Sequence, residues 1–425
     1  MSDVFLYLFL TLCLGLLIRA MVSPKLMYEY PFLLAGIFFI FLAPQAIILS
    51  NRPFIIPRGT LTPVLAMCFF SLFLAFAGYY LAPKLTIAKP LEVTIDEAKL
   101  KTIATIYTIL GCFFFFLIVR TYTEFEEAGK EGPTQATGII TIYFQLYQLV
   151  NVAFPILLYL ALKKPNFSNI ALTMIASFPS LYLIISGGRR ETTALFVLSV
   201  AFVFFYKYKI VPPRSAIIGI ILFAMLIIPA TADYRNLADK HGAWKAMQSL
   251  DLRNSFVRYF AEGGEYLELG AAAHVIDAYT FTGRYQYGAG YWNTLVFRYV
   301  PAQFVGREFK SSLMLGGGSV PLRNGYQIPR GLTITGMGDS FMQFGYLGCI
   351  FYFFLGGFFR TLWHFSLGSS SILVHVLYII CSVQALLTVT HSTVNFFPGI
   401  LFSFVALWII ARFVQQPTNL QSRLV

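Results

Sequence analysis

The stretch 215–232, SAIIGIILFAMLIIPATA, runs for 18 residues without a charge and stops at Asp233-Tyr234-Arg235. A helix rising about 1.5 Å per residue comes close to crossing the roughly 30 Å hydrocarbon core of a bilayer at that length. Working outward, seven runs of the same character lie on its N-terminal side, at 4–22, 31–50, 61–82, 102–119, 138–162, 168–186 and 191–210. Three more follow at 343–363, 370–390 and 393–412. Pro44 and Gln45 mark 31–50 as a span open to being broken, tolerable because neighbouring helices can satisfy the freed carbonyl. The expected fold is an all-α integral membrane protein of about eleven transmembrane helices. Its layout is a first membrane bundle at 1–232, a long outer loop at 233–342, the last three helices at 343–412, and a short polar tail at 413–425.

Composition supports this class and excludes a soluble globular domain. Hydrophobic residues make up 57% of the chain and charged residues 12%, about half the charged fraction of soluble proteins. Forty-four phenylalanines could not be covered by polar surface in water. Cys13, Cys68, Cys112, Cys349 and Cys381 all lie in or beside apolar runs, with no CxxC and no zinc-like His spacing, and read as small packing residues. Neither a disulfide framework nor a metal site is expected. The N-terminus lacks a basic region and a small-residue cleavage site, so the first run reads as a retained span.

Basic residues set the expected orientation. With the N-terminus outside, the inward connections and tail carry 14 lysines and arginines and the short outward loops six. This predicts N-out, C-in, with 233–342 outside. No repeat of 20–50 residues is visible.

The outer loop is too long to be a mere connector. It is rich in Tyr, Phe, Trp and Leu, unlike a disordered segment. From 243 to 281 it reads as two helices broken at Gly263-Gly264. Phe256, Tyr259 and Phe260 share a face of the first, with Arg258 and Glu262 at i,i+4; Leu269, Ala273, Ile276 and Thr280 share a face of the second. An aromatic stretch from Tyr285 to Tyr299 ends at Pro301, and the glycine-rich 302–338 reads as irregular. Arg235, Arg253, Arg258, Arg284, Arg298, Arg307, Arg323 and Arg330 stand against three lysines. Any one of them suits a headgroup anchor. The set, with its planar forks, points to an anionic ligand.

Ser186-Gly187-Gly188-Arg189-Arg190-Glu191 is the sharpest local feature. It turns on two glycines between spans and places two arginines near a helix N-terminus, where cations are unfavourable. Snorkelling to headgroups is the bland account; an anion such as a diphosphate would remove the conflict. His274 and Asp277 stand at i,i+3 as a candidate base and orienter, or as a structural pair. Glu262 and Glu265 flank a glycine turn near Arg258, where a salt bridge is an equal alternative. His391, near the last outer turn, is placed to face the same region. No nucleotide, metalloprotease or serine-hydrolase motif is present.

The arrangement resembles the bacterial O-antigen and capsule repeat-unit polymerases of the Wzy type. The resemblance rests on the many spans, the Ser-Gly-Gly-Arg-Arg turn and the Arg-rich outer loop. It also rests on Tyr287-Gly-Ala-Gly-Tyr-Trp-Asn with Arg298-Tyr-Val-Pro301, and on Gly338-Asp-Ser-Phe-Met-Gln-Phe-Gly-Tyr-Leu-Gly348. It covers the chain in layout and some thirty residues in motifs. Two departures stand out. Gly306-Arg307-Glu308-Phe309-Lys310 occupies the place of a Lys-Pro, and Asp339 that of a more usual Glu. The resemblance implies a GT-C-like fold in a bacterial inner membrane with a periplasmic active face. It implies transfer of a growing glycan from undecaprenyl diphosphate to the next lipid-linked repeat, with membrane lipid as surroundings and no cofactor or metal. A chain-length-regulating co-polymerase is a partner it allows; no nucleic-acid partner is expected. Arg189, Arg190, Arg235, Arg258, Arg298 and Arg330 would bind the diphosphate, and Tyr291 and Trp292 would stack on sugars. Glu262, Glu265 and His274 are the candidate bases for the acceptor hydroxyl. An O-antigen ligase shares the layout. A transporter of lipid-linked sugars or anions is the alternative outside enzymes, though it would be expected to carry inverted repeats and charges at midplane depth.

Overall fold

The computed structural model describes residues 1–83, 95–127, 139–262, 267–316, 320–329 and 332–414. Among these residues the protein is all-α, and eleven helices are long and apolar enough to cross a membrane. They are Ser2–Val22, Tyr30–Asn51, Leu61–Leu81, Glu97–Thr121, Ile139–Lys163, Phe167–Gly187, Arg190–Tyr208, Arg214–Thr231, Thr335–Gly368, Ile372–Thr390 and Thr393–Val414, here spans 1 to 11. The chain is a multi-pass membrane protein.

Hydropathy located every span, and the differences lie where side chains meet protein rather than lipid. Span 2 is continuous, but widens into a π-helical stretch at Phe38–Leu42 just before Pro44. The wider turn accommodates a ring that has no N–H to give. Span 8 runs on as a helix to His241. Span 9 begins at Thr335 rather than 343. Its first stretch, Thr335–Phe344, buries Asp339, Ser340 and Gln343, and a 3-10 turn over Gly345–Cys349 joins it to Ile350–Gly368. Those polar residues masked the helix from an apolarity count.

Spans 10 and 2 form the centre, with 78% and 67% of their apolar stretches buried; spans 6 and 8, at 17%, face outward. Phe178, Ile218, Ile220 and Phe223 are exposed on them, as a lipid-facing belt requires. Small residues decide the closest crossing. A Cβ on Gly78 of span 3 would stand 2.0 Å from the Phe353 carbonyl oxygen, and one on Gly356 of span 9 would stand 2.2 Å from that of Ala75. The two backbones are therefore in contact, the arrangement by which helices associate where lipid supplies no hydrophobic drive. Cys13, Cys68, Cys349 and Cys381 are buried and unbridged, and Cys112 is half-buried.

Polar contacts separate the two ends of the bundle. At one end Tyr28 donates to the Ile210 carbonyl at 3.2 Å, Glu29 accepts from Tyr79 at 2.9 Å, and Lys163 and Lys164 pair with Glu97. At the other end the Gly187-Gly188 turn, the C-terminal part of span 2, the 391–395 turn and the described residues of 243–334 meet.

That segment is not a cap laid on the bundle. The helix Glu268–Thr282 is buried on nearly every side, with Leu269, Ala271, Ala272, Ala273, Ile276 and Ala278 at zero exposure and Thr280 open. It packs against the start of span 9, where a Cβ on Gly338 would come 3.0 Å from the Ala272 Cα. The helix expected ahead of the glycine pair is two helices, Ala243–Ser249 and Leu252–Glu262. Asp251 caps the second, its Oδ1 accepting from the Asn254 N–H at 3.0 Å. The break at Gly263-Gly264 lies outside the described residues. Ala289–Tyr299, Ala302–Val305 and Arg307–Ser312 complete the helical part.

Candidate functional site

The site is built on the Gly187-Gly188 turn. Span 6 ends there because Gly188 takes a left-handed conformation (φ +52°) and its N–H bonds the Ile184 carbonyl at 3.1 Å. A side chain would suffer doubly, since a Cβ would also stand 3.0 Å from the Tyr234 ring. The chain then extends for one residue at Arg189 and enters span 7 at Arg190. This one residue sends the two arginines to different fates.

Arg190 turns into the protein. Its Nε donates to the Thr231 hydroxyl at 2.7 Å, its Nη1 to Glu268 Oε1 at 3.1 Å and its Nη2 to the Ile228 carbonyl at 3.2 Å. The other Glu268 oxygen accepts from Gln45 Nε2 at 3.0 Å, while Gln45 Oε1 accepts the Leu269 N–H at 2.8 Å. Gln45 is fully buried and Glu268 8% exposed. A polar residue in an apolar span thus caps the N-terminus of the helix Glu268–Thr282 and ties it, through Glu268 and Arg190, to spans 7 and 8. Sequence reading noted Gln45 only as a weak point of its span and did not single out Glu268. The available signal was that Gln45 and Arg190 both stand near the outward ends of their spans.

Arg189 stays exposed, and among the described residues its guanidinium has no hydrogen bond or ion pair. Its carbonyl starts span 7 by accepting from the Thr193 N–H at 3.0 Å and hydroxyl at 2.9 Å. From span 8's extension, Tyr234 donates to the Ile185 carbonyl and Arg235 Nε to the Gly187 carbonyl at 3.4 Å. Arg189, Arg190 and Arg235 therefore converge on one turn, with Glu191 in the first turn of span 7. His391 faces this group: Glu191, Glu268 and Arg190 all act on it electrostatically, and Thr390 Oγ1 lies 2.8 Å from its Nδ1. Burial lowers its pKa below 6.5, favouring the neutral ring. Tyr259, on the helix Leu252–Glu262, is held up by burial, with Glu268 adding to the effect.

The remaining candidates lie elsewhere. Arg258 is exposed and pairs with Asp233 at 3.3 Å, which also accepts from the Ser255 hydroxyl at 2.5 Å. Arg298 sits half-buried in the last turn of Ala289–Tyr299. Glu265 and Arg330 fall outside the described residues, as does the side chain of Glu262. His274 and Asp277 are not a hydrogen-bonded pair. His274 stacks on Tyr326, with centroids 3.6 Å apart, and burial lowers its pKa while Asp277 opposes the shift. Asp277 takes Arg323 at 3.3 Å, and that guanidinium lies 4.2 Å over the Phe281 ring. An acid bound to an arginine is a poor orienter for the neighbouring imidazole.

The two aromatics also differ. Tyr291 packs its ring against Phe351 and places its hydroxyl 2.9 Å from Thr393 Oγ1. Trp292 is 46% exposed and spends its indole N–H on the Leu313 carbonyl at 2.7 Å, leaving a ring face open. Behind Tyr291, buried Asp339 accepts from the Thr393 N–H at 2.8 Å, the Val394 N–H at 3.1 Å and the Thr393 hydroxyl. Asp339 thereby locks the start of span 9 to the turn that carries His391 into span 11. Among the described residues no three His, Cys, Asp or Glu side chains group to hold a metal ion.

The arrangement offers an arginine with no ion pair among the described residues, two arginines behind it, a helix N-terminus and a half-buried histidine at one membrane end. Such a set can bind an anionic group and accept a proton beside it. No family model, curated protein or solved structure matches the chain.

Proposed function

We propose that this protein is a membrane glycosyltransferase that polymerises lipid-linked oligosaccharide repeats, moving the growing glycan from undecaprenyl diphosphate to the next repeat at the outer face of a bacterial inner membrane. The observation that carries the reading is Arg189: an exposed guanidinium without an ion pair among the described residues, at a helix N-terminus, on a turn shared with Arg190 and Arg235. A helix start already carries partial positive charge, so a bare arginine there is best balanced by an anion from outside the protein. A lipid diphosphate places its charge at this depth, and that charge grows as the glycosidic bond breaks.

In this reading Arg189 takes the diphosphate directly, and Arg190 and Arg235 hold the turn and add to the positive field. The leaving group departs as the diphosphate. The acceptor hydroxyl gives its proton to a base, for which the neutral ring of His391 is a candidate beside His274 and the carboxylates of Glu262 and Glu265. Trp292 offers its open face to sugar rings. A diphosphate is already a good leaving group, so the transfer is metal-independent.

The test is reconstitution of the purified chain in liposomes with a purified undecaprenyl-diphosphate-linked repeat unit. A ladder of longer lipid-linked products, persisting in EDTA, is expected. Transfer only to a lipid A core acceptor would make the protein a ligase; translocation of the substrate with no new glycosidic bond would make it a transporter. A requirement for one divalent ion would remove the metal-independent step.

A further inference from the structure

The end of the bundle away from the Gly187-Gly188 turn holds a second cationic site that the proposed transfer does not use. Arg19, in the last turn of span 1, places its guanidinium carbon 5.4 Å over the Tyr80 ring. Arg360, in the second half of span 9, stands 5.8 Å from the same ring and 5.1 Å from that of Tyr79. Spans 1, 3 and 9 thus bring two guanidiniums to one aromatic pair. Among the described residues neither has a carboxylate within ion-pair distance, and Arg360 Nε, shielded from water, has no hydrogen-bond partner. The nearest acid, Glu29, spends one oxygen on the Tyr79 hydroxyl at 2.9 Å and also bonds Trp363.

Two cations facing one acid leave one positive charge uncompensated. Aromatic faces hold a guanidinium at modest gain; Arg360 also bonds the Tyr79 hydroxyl, and its Nε donor stays unfilled. The exposed rim is basic too: Lys25 follows span 1, and Arg214 reaches the Val22 carbonyl at 3.4 Å. This is also the end that the lysine and arginine count assigns to the cytoplasm, where anionic headgroups concentrate such residues.

We propose that Arg19 and Arg360, bracketing Tyr80, form a binding site for a phosphate group. Two forks presented from different spans can each take two phosphate oxygens, and the bound charge completes the balance that Glu29 leaves unfinished. The phosphate comes from an anionic lipid headgroup or from free phosphate, two sources with the same recognition chemistry.

The full chain in detergent is compared, by native mass spectrometry and thermal unfolding, with dioleoyl-phosphatidylglycerol, dioleoyl-phosphatidylcholine and inorganic phosphate. Retention of phosphatidylglycerol over phosphatidylcholine, with a raised Tm, supports a lipid-filled site; the same Tm rise with inorganic phosphate alone supports the site with a free-anion occupant. Arg19→Gln and Arg360→Gln should each weaken that binding roughly tenfold, the loss of one charge-assisted contact. Arg412→Gln, a basic residue stacked on Trp408 instead, should leave it unchanged. Arg19 is exposed, so its variant remains informative if the Arg360 variant fails to fold. Equal binding of both lipids with no response to phosphate, or wild-type binding by Arg19→Gln, would overturn the proposal.

Discussion

The two ends of the bundle treat half-buried arginine in opposite ways. At the end bearing the Gly187-Gly188 turn, Arg190 has an acceptor for each of three nitrogens and a carboxylate in Glu268, itself held by Gln45. At the other end Arg360 rests on Tyr80 and on Tyr79, whose hydroxyl it bonds, with its Nε unfilled and, among the described residues, no carboxylate at contact distance. A saturated arginine is a strut, because any ligand must first displace bonds it already makes. An arginine with an unfilled donor keeps that donor for an arriving anion. Arg189 repeats the contrast within one turn: next to the saturated Arg190, its guanidinium has no hydrogen bond or ion pair among the described residues. The number of arginines at a membrane boundary says little; the acceptors within reach of each decide its use.

The strongest way to break this contrast is to take away the strut's counter-ion. Glu268→Ala leaves Arg190 without a carboxylate and takes one acceptor from Gln45 Nε2, and should cost about 3 kcal/mol in detergent unfolding. That is the low end for a broken buried pair, because Arg190 is one-third exposed. Glu268→Gln, keeping acceptor and shape, should cost clearly less; equal losses would mean that charge pairing plays no part. Next in size is Arg189→Ala. It should lower polymer formation about a hundredfold, roughly 2.7 kcal/mol of barrier, with Tm unchanged. Arg189→Lys should recover little, since a point charge cannot reproduce the fork. A wild-type product ladder from the lysine variant would assign Arg189 to headgroup anchoring.

A smaller effect follows from His391. Its folded pKa lies below 6.5, so the unfolded chain binds more protons as pH falls through that value. The stability associated with the neutral ring is therefore complete above 6.5 and is lost progressively as pH drops towards the folded pKa. Unfolding titrated from about pH 8 to about pH 5 should show this loss, and His391→Gln should flatten it. An identical slope in both proteins would remove His391 as its source. The smallest effect belongs to Arg258→Ala. Its pair with Asp233 is 55% exposed on the arginine side, and surface pairs contribute about 1 kcal/mol or less, diminished further by salt. A Tm drop as large as that of Glu268→Ala would show that Arg258 is a second strut.

The candidate site was legible only in part, for a reason visible in its residues. Arg189 and Arg190 stood out because Gly187-Gly188 before them forces a turn, and a turn between apolar runs places charges at a boundary. Nothing local distinguishes the two; the single extended residue at Arg189 and the distant Glu268 do. His274 and Asp277 drew attention through their i,i+3 spacing, yet Tyr326 and Arg323, some fifty residues on, separate them. Asp339 was noticed as a departure from a resembling segment, while its partner Thr393 stands at the first position of span 11. Helical spacing reports neighbours on one element, and every one of these outcomes depends on another.

The sequence by itself determined the eleven spans, because transfer of apolar side chains into hydrocarbon is additive along a run and needs no partner to be read. It also determined the turn at Gly187-Gly188, where backbone freedom is a property of the residue. Tertiary structure alone decided that the helix Glu268–Thr282 sinks among the spans, that Gln45 caps it, and that Arg190 pairs with a carboxylate while, among the described residues, Arg189 and Arg360 form no ion pair. Hydrogen bonds and ion pairs act over about 3 Å, so their partners are fixed by which helices touch and by the orientation of each side chain at the crossing.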